Sequence, residues 1–259
     1  MKKNLFALSL IVTMSFLFAG NTNVFASTTD DRIEASAKQT YVFKTYLKDD
    51  NIKVASEGGN VTLTGTVAEE SHLSLAKDTV EGLPGVKKVD NKLTAVEKSP
   101  SAGSDAWIIT KVKFALLFHK NVNAMATSVT AENGVVTLRG EASSIAQKDL
   151  TGEYAADVDG VKSVKNLMTA PASAQDESTT ATKMEAIGEA VDDASITAMV
   201  KGTLLYHRST SALNTNVVTK DGVVTLKGTA KNSAEKDLAE KLTNDVHGVK
   251  EVINNITIG

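Results

Sequence analysis

Residues 134–140 read Gly-Val-Val-Thr-Leu-Arg-Gly, and this stretch occurs in the chain in three versions. The other two are Gly-Asn-Val-Thr-Leu-Thr-Gly at 59–65 and Gly-Val-Val-Thr-Leu-Lys-Gly at 222–228. Twenty residues after the second glycine of each copy comes Gly-Val-x-x-Val-x-Asn, at 85–91, 160–166 and 248–254. Both spacings are the same in all three copies. The chain is therefore predicted to be an array of one small folding unit, which suggests a repeated binding module.

The glycines of these motifs are interpreted as structural, because they stand at predicted hairpins and strand ends, where the backbone needs conformational freedom. They do not form a phosphate-binding loop. The set is Gly59, Gly65, Gly85, Gly134, Gly140, Gly160, Gly222, Gly228 and Gly248. The asparagine that closes each copy is also interpreted as structural, bonding to strand-end or loop backbone. It is Asn91, Asn166 or Asn254.

Each repeat begins with a predicted amphipathic helix and a hairpin. In the second repeat Ile108, Val112 and Leu116 recur every four residues, which indicates one buried helix face. The third repeat has the same pattern, and Asp105 or Asp193 before each face is predicted to be the N-cap. Asn133-Gly134 and its counterpart Asp221-Gly222 are typical of tight hairpin turns.

A second helix and a last strand complete the repeat. Ser144-x-x-Gln147 and Asn232-x-x-Glu235 are typical of a capping box at the helix start. The inner face is predicted to carry two recurring positions, Leu75, Leu150 and Leu238 at one and Leu83, Val158 and Val246 at the other. A strand, helix and strand in about thirty residues favour a parallel crossover. The prediction is an α+β fold of three αββαβ units, each a three-stranded mixed sheet with two helices on one face.

The start of the chain has the features of a secretory signal. Lys2 and Lys3 precede an apolar run at 5–19, and Val24-Phe25-Ala26 places small residues before a cleavage site after Ala26. The alternative is an uncleaved anchor, but the run is shorter than the ~20 residues that span a bilayer. No other stretch is long enough to span one. The chain has no cysteine, so we expect neither lipid attachment nor disulfides. A Gram-negative periplasm is the predicted compartment.

Composition also suggests where the units begin and end. We predict a signal peptide at 1–26 and repeats at 27–98, 104–170 and 192–259. The segments between them, 99–103 and an acidic Ser/Thr/Ala-rich stretch at 171–191, are predicted linkers, because such composition buries little apolar surface.

Charge argues against nucleic acid as a partner. The 28 Lys and Arg residues nearly balance 31 Asp and Glu residues, giving a formal charge of −3. Neutralisation of phosphates by basic side chains supplies most nucleic-acid affinity, and no basic patch is visible here. Strong electrostatic attraction to anionic lipid is disfavoured for the same reason.

No residue pattern indicates catalysis, a metal or a cofactor. His119 and His207 follow the first helix of their repeats, with no cysteine and no second histidine nearby in sequence, and are interpreted as solvated loop residues. Ser233 and Lys236 have the spacing of an acyl-transfer motif, but the matching position in the second repeat is Ile145. The chain is predicted not to be an enzyme.

One helix carries a second apolar stripe. Trp107, Phe114 and Phe118 share a narrow arc at about 100° per residue, well away from the arc of Ile108. Lys111 lies between the two arcs. Packing against a neighbouring repeat is one explanation. The other is a lipid- or client-binding surface made of Trp107, Lys111, Phe114 and Phe118, since aromatic rings flanked by lysine suit a membrane interface.

The two glycine motifs, at their fixed spacing behind an amphipathic helix, resemble those of the BON-domain family of osmotically inducible periplasmic bacterial proteins. The resemblance implies the αββαβ fold, a periplasmic location, no catalytic activity and a role in envelope stress. Two functions remain open at this point. One is peripheral binding to phospholipid membranes, and the alternative is a holdase chaperone for unfolded outer-membrane or secreted proteins.

Overall fold

The computed structural model describes residues 23–96, 100–171, 190–210 and 214–259. In these ranges every repeat forms helix, strand, strand, helix and strand. The first repeat comprises α1 (Asn23–Gln39), α2 (Tyr41–Thr45), β1 (Asn51–Glu57), β2 (Asn60–Val67), α3 (Glu70–Glu81) and β3 (Lys88–Ala95). The second comprises α4 (Asp105–Leu117), a 3₁₀ turn (Ala124–Ala126), β4 (Thr127–Glu132), β5 (Val135–Gly140), α5 (Ile145–Ala156) and β6 (Ser163–Asn166). The third comprises α6 (Asp193–Tyr206), β7 (Asn216–Lys220), β8 (Val223–Ala230), α7 (Ser233–Asn244) and β9 (Glu251–Ile258).

Two predicted segments fall largely outside the described residues. They are the signal peptide, apart from its last four residues, and most of the linker at 171–191. Helix α1 begins at Asn23, so the predicted cleavage site after Ala26 lies in its first turns. Among the described helices, none combines the length and apolar character needed to cross a membrane.

Each repeat builds its own three-stranded sheet. The second strand is central, antiparallel to the first strand and parallel to the third. In repeat 2, Leu138 pairs with Val129 on one side and Asn166 on the other. Leu138 is fully buried beneath the helices, while its neighbour Arg139 is exposed on the opposite face. The predicted mixed sheets and α+β class are confirmed.

The recurring glycines are needed by the backbone at the hairpin and at the strand end. Asn133 and Gly134 have φ values of 54° and 81°, the left-handed conformation that tight hairpin turns require. At Gly140, φ is 133°, and an added Cβ would lie 2.1 Å from the carbonyl oxygen of Ala126, in the 3₁₀ turn that leads into β4. A side chain there would push the start of β4 away from β5.

Both helices of a repeat turn the predicted positions toward the core. Ile108, Val112 and Leu116 are all at most 2% exposed. In the second helices Leu75 is buried, while Leu150 and Leu238 are half-buried and pack against the core from the edge of the buried face. The fully covered positions lie one, four and five residues further on, as Thr151, Tyr154 and Ala155 in α5. The predicted positions Leu83, Val158 and Val246 are buried, but each follows the end of its helix.

The aspartates at the start of the first helices do not cap them. Ser104 and Asp192, one residue earlier, are the N-caps. Asp105 instead connects the start of α4 to the hairpin turn between β4 and β5. Its carboxylate accepts the backbone N–H groups of Asn133 and Gly134 at 2.7 and 2.8 Å. Asp193 and Asp30 hold their own hairpins in the same way. We call these three residues the hairpin aspartates; the N-cap prediction for two of them was wrong.

The predicted capping boxes form with one difference. Ser144 and Asn232 accept the N–H groups of Gln147 and Glu235, as expected. The reciprocal bonds go one residue further back, because the side chain of Gln147 accepts from Ser143 and that of Glu235 from Lys231.

The recurring asparagine ties the third strand to the second helix. In repeat 2 the side-chain amide of Asn166 donates to the carbonyl oxygen of Lys148 at 2.6 Å, and its oxygen accepts from the backbone N–H of Met168 at 3.2 Å. Asn91 and Asn254 make the same two bonds in their repeats. The structural interpretation of these asparagines is confirmed.

Repeats 1 and 3 are joined at the start of α2. The backbone N–H of Tyr41 donates to the carboxylate of Asp192 at 2.8 Å, and that of Val42 donates to the hydroxyl of Ser195 at 3.0 Å. These N–H groups lack partners within their own helix, so repeat 3 supplies acceptors that a helix start always needs. The ammonium of Lys201 lies 3.3 Å from Asp78 of α3 nearby.

Candidate functional site

The aromatic stripe of α4 lies partly inside the molecule. Phe114 and Phe118 are 5% and 1% exposed. The ring of Phe114 lies 4.4 Å from that of Tyr206 in repeat 3, and the ring of Phe118 lies 5.2 Å from that of Tyr46 in repeat 1. Of the two explanations for these phenylalanines, the structure shows packing against neighbouring repeats. A membrane or client cannot reach them in this arrangement.

Repeat 3 makes room for these rings with a glycine. Gly202 of α6 occupies the position that Phe114 has in α4, and an added Cβ there would lie 2.8 Å from Phe114 Cε1. The large side chain of Phe114 on α4 is therefore accommodated by the missing side chain of Gly202 on α6. The asymmetry between the two helix sequences is explained by packing.

Trp107 and Lys111, the other two residues of the predicted binding surface, are only partly covered. The ammonium of Lys111 lies 3.6 Å from the centroid of the indole ring, a cation–π contact, and 3.6 Å from Asp159. Both residues line an open groove of about 470 Å³ where the three repeats meet, and Lys77 and Tyr206 lie on its other walls. The predicted four-residue site is thus divided, with two residues at a surface and two in an interface.

The groove is polar and carries both signs of charge. Lys77 is held protonated, since its hydrogen bond to Glu81 raises the pKa of the ammonium. Glu69 and Glu70 also line the groove. Burial, with a smaller contribution from Glu70, raises the pKa of Tyr206 and keeps its hydroxyl neutral. The groove can therefore offer two cations, a neutral donor and two carboxylates.

A second surface was not found by sequence reasoning. Met125, Ile145 and Leu167 are 80%, 51% and 53% exposed. Met125 lies just before β4, Ile145 is the first residue of α5 and Leu167 directly follows β6. All three are at the end of the sheet where β5 and β6 finish. We call this set the apolar tip. Repeat 3 has Ser233 and Asn255 in place of the last two, a difference visible in the aligned repeats.

The two histidines after the first helices are buried, so their interpretation as solvated loop residues was wrong. His119 and His207 are 5% and 6% exposed. The ring of His119 stacks on Tyr154 with 3.8 Å between centroids and 2° between planes. Burial lowers the pKa of His119 to about 4 and also lowers the pKa of His207. His207 also contributes to lowering the pKa of His119, so the two residues are close in space although 88 positions apart.

These histidines mark a reciprocal contact between repeats 2 and 3. His119 forms a β-bridge with Val246, and His207 forms the equivalent bridge with Val158. Beside them the N–H of Lys120 donates to the carbonyl oxygen of Asp245 at 2.9 Å, and the N–H of Arg208 donates to that of Asp157 at 3.0 Å. Each repeat thus presents the same two segments to the other, the arrangement of a two-fold interface.

Across the described ranges, no three histidine, aspartate or glutamate residues come together in a geometry suited to a metal ion. Ser233 is the first residue of α7, where it follows the cap Asn232.

A family comparison agrees with the fold and its repetition. A model of the BON domain matches residues 29–97, 104–172 and 192–259. The chain belongs to the BON-domain family. It is 33% identical over 196 residues to osmotically-inducible protein Y of Escherichia coli (strain K12), covering 76% of this chain and 92% of that relative.

Two further BON-family relatives are named for a membrane location and for haemolysis. The outer membrane lipoprotein DolP of Haemophilus influenzae is 30% identical over 145 residues, which are 53% of this chain and 75% of that protein. A 21 kDa hemolysin of Actinobacillus pleuropneumoniae is 36% identical over 115 residues, 44% of this chain and 59% of that protein. Among solved structures, the C-terminal domain of CdsD of Chlamydia trachomatis covers 88% of this chain and 96% of its own at 17% identity, with a TM-score of 0.22, too low to carry an argument.

Proposed function

We propose that this BON-domain chain is a non-enzymatic protein of the bacterial periplasm that binds phospholipid surfaces peripherally and serves in osmotic stress. The observation that carries the proposal is the Trp107–Lys111 pair at the groove between the repeats. An indole and an ammonium side by side match the headgroup layer of a membrane, where tryptophan is favoured and lysine meets phosphate. The names of two relatives, an outer membrane lipoprotein and a hemolysin, support a membrane setting.

The groove favours a zwitterionic headgroup over a purely anionic one. Lys77 and Lys111 can receive a phosphate, while Glu69 and Glu70 can receive an ammonium. With a formal charge of −3, the chain gains little from a negative membrane surface. We therefore expect binding to phosphatidylethanolamine vesicles that depends weakly on salt and on added phosphatidylglycerol.

Flotation with such vesicles tests the proposal. The groove variant exchanges two residues for those of repeat 3, Trp107→Ser and Lys111→Met. The matched control makes the same exchange at the apolar tip, Ile145→Ser and Leu167→Asn. We expect the groove variant to lose at least tenfold in affinity while the control binds normally, both with unchanged circular dichroism. If the groove variant floats as well as the unaltered chain, the groove is not the lipid site.

The apolar tip favours a second candidate function, the holdase chaperone. Exposed large apolar side chains grouped at one end of a domain are typical of protein-binding surfaces. In this case the chain suppresses aggregation of an unfolded outer-membrane protein at near-stoichiometric ratios without lipid, and the tip variant fails to do so. No suppression by the unaltered chain across several clients would remove this candidate, and suppression that survives in the tip variant would exclude the apolar tip as the client-binding surface.

A further inference from the structure

The contact between repeats 2 and 3 combines a reciprocal interface with two buried histidines. We propose that it is an acid-sensitive latch, closed while His119 and His207 are neutral and opened when His119 takes up a proton. The inference does not depend on what the chain binds. It rests on the position of His119, the groups that face it and the bonds that join the two repeats.

The surroundings of His119 disfavour a protonated, charged ring. Its ring is stacked flat on Tyr154 and 5% exposed, and its Nδ1 atom has no hydrogen-bond partner among the described residues. An imidazolium carries an N–H on both nitrogens, so protonation would leave a charged donor buried without an acceptor. Such a group costs far more than a neutral one in the same place.

The charged groups around His119 do not offset that cost. The carboxylate of Asp245, across the interface, attracts the proton, but it already accepts the hydroxyl of Tyr154 at 2.6 Å. His207, on the partner repeat, opposes the proton, and so the two histidines disfavour being charged together. Lys120, next in sequence, directs its ammonium to the carbonyl oxygen of Asn244. The backbone N–H of His247 donates to the carbonyl oxygen of Phe118, and its ring packs against Tyr41.

His207 is the less sensitive half of the latch. Its Nε2 lies 3.2 Å from the carboxylate of Asp157, which can stabilise a proton there. Its Nδ1 accepts the N–H of Ser209, an acceptor role that ends on protonation. The guanidinium of Arg208 adjoins it and donates to carbonyl oxygens of repeat 2, the shortest bond being 2.7 Å to Val161. We therefore assign the main response to His119.

The direction and range of the response follow from the histidine. Its pKa in the closed form is about 4, below its usual value of 6.5. The open form therefore binds more protons, and closure is fully favoured above pH 6.5 and weakens as pH falls toward 4. At pH 4.5 these two pKa values predict a loss on the order of 80-fold in the closing equilibrium. Opening would uncover Phe118 and Tyr206.

Amide hydrogen exchange of the exported chain measures this opening directly. The N–H groups of Lys120, Arg208 and His247 donate across the interface, whereas those of Lys162 and Lys250 donate within their own repeats. After correction for intrinsic exchange, we expect protection at the three interface amides to fall on the order of 80-fold between pH 7.5 and pH 4.5. Protection at the two internal amides should change much less.

A variant without the titrating ring separates the latch from general acid effects. His119→Phe keeps a flat ring on Tyr154, and His119→Gln serves if the phenylalanine disturbs packing. Either should make interface protection nearly independent of pH. The proposal is overturned if the unaltered chain shows no selective loss at low pH, or if both variants lose protection as the unaltered chain does. Because no lipid is present, either result leaves the vesicle experiment to decide the proposed function.

Discussion

Replacing Asp105 by alanine tests whether a hairpin aspartate holds its repeat together across the fold. Its carboxylate accepts two backbone N–H groups, of which Gly134 is buried and Asn133 is exposed. Leaving the buried N–H without an acceptor costs about 1–3 kcal/mol, whereas water can replace the exposed bond at about 0.5 kcal/mol. We therefore expect a loss of about 2 kcal/mol in the free energy of unfolding.

Urea unfolding followed by circular dichroism measures that loss. If repeat 2 unfolds as a unit of its own size, the melting temperature falls by about 10 °C. Asp105→Asn keeps one acceptor and should lose about half as much, and Ser104→Ala, which removes the true cap, should lose about 1 kcal/mol. Asp149→Ala on the exposed face of α5 is the control. An Asp105→Ala loss within 0.5 kcal/mol of that control would refute the reasoning.

Three further changes test other contacts. Asn166→Ala should lower the free energy of unfolding by about 1–2 kcal/mol in urea, because two hydrogen bonds disappear; a loss below 0.5 kcal/mol would contradict this. Gly202→Leu should cost about 1–3 kcal/mol through its clash with Phe114, and adding Phe114→Ala should recover part of that loss in the same assay, whereas simple additivity would count against the packing. Hydrogen bonds from Ser56, then from Gly59 and Gly58, lower the pKa of Asp30, so its stabilisation is present above pH 3.8 and disappears as pH falls through the lowered value. Asp30→Asn should therefore flatten the melting temperature between pH 4 and pH 2, and an unchanged profile would rule this out.

The fold was predictable because its determinants lie inside each repeat and recur. The glycines and the closing asparagine serve bonds at fixed sequence distances, such as Asn166 to Lys148 and Asn254 to Lys236, both 18 residues apart. Three copies of the same spacing reveal the same turn and the same parallel crossover. Interactions of this kind leave a signal in the sequence even when their partners are unknown.

The hairpin aspartates show how a correct observation led to a wrong role. A carboxylate at a helix start suits a cap and also suits a bond to a distant turn. The deciding signal was the constant distance of 29 residues to the hairpin glycine, which Asp30 and Gly59 share with the other two pairs. The N-cap interpretation covered only two repeats and missed the third.

Contacts between repeats were the part that the sequence could not predict. Periodicity shows that a helix face is apolar, but it does not show what covers it. Phe114 and Phe118 therefore suited a membrane or a neighbour, and only their burial against Tyr206 and Tyr46 in the folded chain decides between them. His119 was misjudged for a related reason, since it is covered by Tyr154 of α5 and by the segment around Val246 of repeat 3, which are distant in sequence and leave no local pattern.

The closing asparagine has a consequence for how three similar units coexist in one chain. In repeat 2, Leu167 and Thr169 donate to β5, so the N–H of Met168 between them points to the outer edge of the sheet. That edge is where a strand from a neighbouring copy would add, and the side chain of Asn166 already occupies its N–H. A carboxamide can donate to the helix and accept at the edge together, which neither a carboxylate nor an ammonium can do. Neighbouring copies of one domain can exchange strands. By occupying an edge N–H, the closing asparagine of each repeat disfavours that exchange.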